Sequence, residues 1–139
     1  MPNAYIETTI PSYYVARASQ NLLQASRQIS TRLWWDRGCS GFTLFTSLEP
    51  LEEAQEGEAD MAQCRLSLLD QVALLDITNE AGILANSLVS NGLIPQKAAS
   101  DAIHIAVASV HQMDYLVTWN CNLKKAGRSG RLAQDVGLM

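Results

Sequence analysis

The chain is poor in cysteine, proline and positive charge, and each shortage removes a class of protein. Its three cysteines, Cys39, Cys64 and Cys121, are far apart and form no C-x-x-C pair, so they build neither a disulfide framework nor a redox motif. Reduced thiols in a cytoplasmic protein are the expectation. With only 4 prolines and 8 glycines, the collagenous, low-complexity and disordered classes do not fit. Ten Lys and Arg stand against 14 Asp and Glu, a net charge of −4, which excludes binding of nucleic acid through bulk positive charge. Any contact with a polyanion must be local or bridged by a metal. No stretch approaches the roughly 18 uninterrupted apolar residues of a membrane span. The opening residues, Met1 to Glu7, lack the basic and apolar regions of a secretory signal.

What the chain does have is apolar content, 47% over 139 residues, enough for one domain with one core spanning residues 1–139. Ala4-Tyr5-Ile6 reads as a strand that ends at Glu7, with a turn signalled at Pro11 and Ser12. From Asn21 to Asp36, apolar residues recur at helical spacing, and Gly38 supplies the stop. Phe42 to Phe45 and Val72 to Leu75 are further strands, and one or two helices broken near Gly57 lie between them, over Leu48 to Leu69. Glu80 to Ser90 reads as a helix ended by Asn91-Gly92. Pro95 opens another that runs to about Gln112, and Tyr115 to Thr118 forms the fourth strand. Strands separated by helices predict a three-layer α/β/α sandwich on a mostly parallel sheet of four or five strands. Residues from about 123 onward form a short tail.

Ligands of an open parallel sheet bind beyond the carboxyl ends of its strands, which favours Glu7, Glu49 and Asn120 as candidates. Asp101 stands out differently, as an acid near the start of a strongly apolar helix. Each has an ordinary explanation. Lys97, Asp101, His104, Ala108 and His111 could form a solvated stripe, and Glu49, Glu52, Glu53 and Glu56 a solvated helical face. Glu7 could cap a loop, and Asn120 a turn. The spacing of His104 and His111 is not that of a zinc pair, and nucleophile-elbow, P-loop and dinucleotide motifs are absent. Acids with an amide suit a hard cation, Mg²⁺ or Mn²⁺, and that combination suggests metal-assisted phosphodiester hydrolysis.

Three segments, Tyr5-Ile6-Glu7-Thr8-Thr9-Ile10-Pro11-Ser12-Tyr13, Asp101-Ala102-Ile103-His104-Ile105-Ala106 and Asp114-Tyr115-Leu116-Val117-Thr118-Trp119-Asn120-Cys121-Asn122, resemble PIN-domain proteins. Within that family, the bacterial branch related to VapC-type toxins is the closest. With a weaker match over Phe42 to Glu56, the resemblance covers about half of the chain. It implies a ribonuclease dependent on Mg²⁺ or Mn²⁺, with Glu7 as the first acid, Asp101 as the third and Asn120 where many relatives carry a fourth. Glu7, Asp101 and Glu49 are the expected metal ligands, and Thr9, Lys97 and Thr118 are expected to contact substrate. Relatives read Ser-Glu after the second strand, whereas this chain reads Ser47-Leu48-Glu49-Pro50, so Glu49 lies one position late. Glu52 and Glu53 are the substitutes.

Three functional readings follow from the resemblance. The first is an active endoribonuclease, the toxin of a type II toxin–antitoxin pair, with an antitoxin protein as partner. Local bases (Lys97, Lys124, Lys125, Arg128 and Arg131) would help to hold its RNA. The second is a catalytically degenerate PIN domain that binds RNA or protein, motivated by Leu48, Asn120 and the short tail. The third is a different phosphohydrolase or a DNA nuclease. A homodimer is also implied, with the helix from Asn21 to Asp36 and its Trp34 and Trp35 as a candidate surface, although the two tryptophans read equally well as core residues.

Overall fold

A computed structural model of the chain describes residues 1–120, so the sequence readings of the tail and its four bases lie outside the described residues. Four strands, β1 (Asn3–Ile6), β2 (Thr43–Ser47), β3 (Ala73–Leu75) and β4 (Tyr115–Val117), form one sheet in the order β3-β2-β1-β4, and every pairing is parallel. A parallel neighbour needs a crossover, and helices supply it. These are α1 (Thr9–Val15), α2 (Leu22–Leu33), α3 (Leu48–Ala54), α4 (Ala59–Leu69), α5 (Asn79–Ser90) and α6 (Ala99–Val110). The sandwich expected from the sequence is present, with four strands among the described residues.

Side chains of β1 alternate between two cores, as the period of a strand requires. Tyr5, with Leu116 of β4, packs against α5 and α6 through Ala85, Leu88, Ile105 and Ala106. Ala4 and Ile6, with Val117, face Ile10, Ala54 and Leu69 on the opposite side. β1 is therefore central and covered on both faces, which explains its apolar run Ala4-Tyr5-Ile6. Because Glu7 follows Tyr5 by two residues, it leaves the sheet on the α6 side.

Two departures from the sequence reading have physical causes. The turn expected at Pro11 and Ser12 is instead α1, with Pro11 as its third residue, a first-turn position where the missing N–H costs no helical bond. α2 is amphipathic as expected, and Asn21 caps it by accepting from the Gln24 N–H at 3.0 Å. Its polar face, however, is the one turned inward. Gln28 Nε2 donates to the Arg17 carbonyl, Arg32 donates to the carbonyls of Tyr14 and Ala16, and Thr31 Oγ1 accepts from Trp119 Nε1 at 2.8 Å. The segment joining α1 to α2 leaves carbonyls that need donors, and this face supplies them. Leu22, Leu23, Ile29 and Leu33 are consequently exposed. Trp34 and Trp35 lie in a π-helical turn after α2 (Trp34–Gly38) and pack, half-buried, against the Ala4–Ile6 core. The tryptophans proposed as a surface are packing residues.

α5 and α6 end alike. In α5, Leu93 N–H reaches the Leu88 carbonyl and Gly92 N–H the Val89 carbonyl, with Gly92 at φ 75°. In α6, Met113 N–H reaches the Ala108 carbonyl and Gln112 N–H the Ser109 carbonyl, but here Gln112 occupies the left-handed position at φ 56°. Both are Schellman closures, which favour glycine at that residue. Relief of the left-handed cost, about 1–2 kcal/mol, is partly offset by the freedom glycine adds to the unfolded chain. Gln112→Gly is expected to stabilise the fold by up to about 1 kcal/mol, read as a higher urea midpoint at unchanged slope.

Candidate metal centre

The carboxyl ends of β1, β2 and β4 meet the N-terminus of α6, and the acids gather there. Glu7 follows β1 directly and is 4% exposed. Its Oε1 accepts three hydrogen bonds, from Thr9 N at 3.1 Å, Thr9 Oγ1 at 2.5 Å and Thr118 Oγ1 at 2.7 Å. Each threonine hydroxyl also accepts from the segment after β4, Thr9 from Trp119 N at 3.0 Å and Thr118 from Asn120 N at 2.9 Å. The two hydroxyls thus stitch the ends of β1 and β4 around one carboxylate oxygen. Thr118 is buried, so the substrate contact expected of it is corrected to a structural bond, and the Thr9 hydroxyl is likewise engaged with Glu7.

The second acid comes from α3. Ser47 ends β2 and precedes the helix, so Glu49 lies in its first turn and Glu53 one turn later on the same face. Glu53 reaches the centre: its Oε1 accepts from Thr8 Oγ1 at 2.5 Å and pairs with His104 Nε2 at 2.9 Å. Glu7, Glu53 and His104 each offer a ligand atom within 4.8 Å of the others. Glu49, expected as the ligand, flanks this group half-buried, and burial and the Glu53 charge hold its carboxyl above the ordinary range. Glu52 is exposed, and so is Leu48 at 51%.

His104 is fully buried, with its Nδ1 against the Tyr5 hydroxyl at 3.2 Å, and that hydroxyl is 2.7 Å from Ser47 Oγ. Asp101, one turn earlier on α6, is half-buried and hydrogen-bonded to the Asn120 side chain. The solvated stripe considered for α6 is therefore corrected, since His104 and Ala108 are buried in the core. Lys97 is exposed on the 3-10 turn Gln96–Ala98 that leads into α6.

The electrostatics are those of crowded acids. Burial lifts the Glu7 carboxyl above its ordinary value, and the His104 charge and the threonine bonds only partly oppose it. Burial likewise lifts Asp101, against the bond from Asn120 and the His104 charge. Burial also acts to raise Glu53, but the His104 bond and charge and the Thr8 bond outweigh it, leaving Glu53 low. For His104, burial acts downward, and the Glu53 bond with the charges of Glu7, Glu53 and Asp101 turns the net shift upward. Among the described residues, only Oε1 of Glu7 and of Glu53 is hydrogen-bonded within the protein. Each carboxylate therefore keeps its second oxygen for another partner. Buried carboxylate oxygens without donors, beside more acid, fit a hard divalent cation.

No family model matches the sequence, and neither does any curated protein. Among solved structures, the chain aligns with one in the crystal structure of VapBC2 from Rickettsia felis bound to a DNA fragment from their promoter, at 20% sequence identity and a TM-score of 0.66. The alignment covers 95% of this chain and 96% of that one. The chain shares its fold with that structure, the PIN-like three-layer sandwich expected from the sequence. At this identity the likeness establishes the fold alone, and the chemistry rests on this chain's own residues. Of the acids expected from sequence, Glu7 lies in the tight group, Asp101 and Glu49 border it, and Asn120 holds Asp101. The sequence placed His104 in a solvated stripe and read it against zinc, and it placed Glu53 on a solvated face or as a substitute. Helical geometry could have found both, because Glu53 shares a face with Glu49 and His104 stands one turn beyond Asp101.

Proposed function

We propose that this chain is an endoribonuclease dependent on Mg²⁺ or Mn²⁺ and acts as the toxin of a type II toxin–antitoxin pair. The observation that carries the reading is the pair of carboxylates, Glu7 and Glu53, each fixed by protein donors through one oxygen with the other left over, beside Asp101 at the carboxyl edge of a parallel sheet. Glu7, Glu53 and Asp101 are the residues that would hold the ion, with Glu49 at the rim. When bound, the ion supplies Lewis-acid stabilisation of charge on the phosphoryl and leaving oxygens of a phosphodiester. Thr9 and Thr118 hold Glu7 in place, and Asn120 holds Asp101. Lys97 is exposed near the start of α6 and supplies a local positive charge for the backbone of an RNA, which the net charge of −4 does not otherwise attract.

An antitoxin partner belongs to the same reading, supported by the likeness to a chain of a VapBC complex, and a homodimer is proposed with it. Light scattering of the purified chain checks the dimer directly. Among the described residues no helix is long and apolar enough to cross a membrane. The degenerate reading loses its first motive, because Glu53 offers an acid where Leu48 does not.

The purified chain should cut a structured RNA with Mn²⁺ or Mg²⁺, stop on chelation and leave DNA of the same sequence intact. Asp101→Asn, which replaces a metal-holding carboxylate by an amide, should abolish Mn²⁺-stimulated cutting, and unchanged cutting would remove Asp101 from the site. RNA binding without cutting under every metal condition would favour the degenerate domain, and DNA cutting would favour the third reading.

A further inference from the structure

We infer that His104 is a positioning residue, fixed by Tyr5 and Ser47, that orients Glu53 through a hydrogen bond and does not itself ligate the metal. The inference rests on the divalent-metal reading of the same centre. His104 is one of three groups close enough to share an ion, so proximity alone makes it a candidate ligand. Its hydrogen bonds argue otherwise. An ionised carboxylate only accepts, so the 2.9 Å contact with Glu53 Oε1 requires a hydrogen on Nε2, and that nitrogen then has no lone pair to give. Nδ1 is turned into the core against the Tyr5 hydroxyl, with Ser47 Oγ beyond it. Ring, hydroxyl and Ser47 are all buried, so the imidazole has no second orientation open to it without leaving polar atoms unpaired.

The arrangement runs from the strands to the site. Tyr5 of β1 and Ser47 of β2 fix a ring on α6, and the ring fixes an acid on α3. Thr8 donates to the same oxygen, so Glu53 Oε1 carries two protein bonds while Oε2 has none among the described residues. The ion is then held by carboxylate oxygens, a donor set for Mg²⁺ or Mn²⁺ rather than for zinc, which favours imidazole.

Mn²⁺ binding to the full chain, followed by electron paramagnetic resonance with electron spin echo modulation, tests this. Wild type should bind Mn²⁺ and show no nitrogen modulation from a directly ligated imidazole. Losing an orienting partner typically costs a metal site about 10–100-fold in affinity, which is the loss expected of His104→Ala. His104→Gln, whose amide can donate to Glu53, should stay within about threefold of wild type. Tyr5→Phe keeps the packing and removes only the hydroxyl, and should weaken binding severalfold, so it answers for the relay if His104→Ala does not fold. Directly ligated nitrogen in wild type, or full affinity in both His104→Ala and Tyr5→Phe, overturns the inference while leaving the metal reading intact. No Mn²⁺ binding by wild type overturns both.

Discussion

Glu53→Gln is expected to reduce Mn²⁺-stimulated RNA cleavage by at least about 100-fold, the scale of losing one preorganised charge partner at a reacting centre, whereas Glu49→Gln should cost only a few-fold. The contrast follows from what each carboxylate touches. In Glu53→Gln the new side chain would still accept from Thr8 and His104 through its amide oxygen, so the helix and the imidazole keep their places. The amide nitrogen, however, would replace the one oxygen that no donor claims among the described residues, and an amide nitrogen is no ligand for a hard cation. Glu49 makes no such bond. It contributes negative charge from one turn away, and that field is partly screened because the side chain is half exposed. Single-turnover cleavage by the two variants, with circular dichroism to show that both are folded, measures the difference. Equal losses would move the second acid back to Glu49.

That Glu53, one turn beyond Glu49, is the acid of α3 that lies against Glu7 and His104 shows where a linear reading fails. Strand ends and helix bounds were legible, because apolar runs such as Ala4-Tyr5-Ile6 and signals such as Asn91-Gly92 and Pro95 depend on short-range geometry. Glu7 and Asp101 were legible as well, each sitting at the end of an apolar run where an acid has no packing reason to be. Glu53 was not, because its value depends on the angle at which α3 leaves β2, and one helical turn changes reach without changing face. Position-by-position comparison with relatives pointed to Leu48, and Leu48 is exposed. His104 was missed for a related reason. Spacing along α6 placed it in a solvated stripe, whereas it is buried, and its partners come from β1 and α3, 99 and 51 residues away. α2 shows the complementary failure. Periodicity established two faces, and only the carbonyls left open between α1 and α2 decided that the polar one turns inward.

Glu7→Gln should separate stability from metal binding, because the same burial that suits Glu7 to a cation makes it a liability without one. The three donors on Oε1 are all retained by glutamine, so the change removes charge and little else. In the folded protein burial holds the Glu7 carboxyl above its ordinary value near 4.5. A folded state that binds its proton more tightly than the unfolded chain is stabilised by that group below the ordinary value, and it loses the contribution as pH rises through the folded one. His104, also raised, acts in the same sense but only from its ordinary value near 6.5 upward. Metal-free wild type should therefore lose stability from pH 4.5 onward, and metal-free Glu7→Gln should lose less over that range, where the raised Asp101 and Glu49 still act, and melt higher than wild type at neutral pH. Adding Mn²⁺ inverts the order. At a hundredfold excess over its Kd, a ligand adds about 2.7 kcal/mol to the state that binds it. For a chain of this size that is a rise on the order of 10 °C in Tm. Wild type should show the rise and Glu7→Gln should not, so calorimetric melts across pH with and without Mn²⁺ read both effects from one variant. A variant that melts lower than wild type without metal, yet still responds to Mn²⁺, would remove Glu7 from the centre and leave it a structural acid at the end of β1.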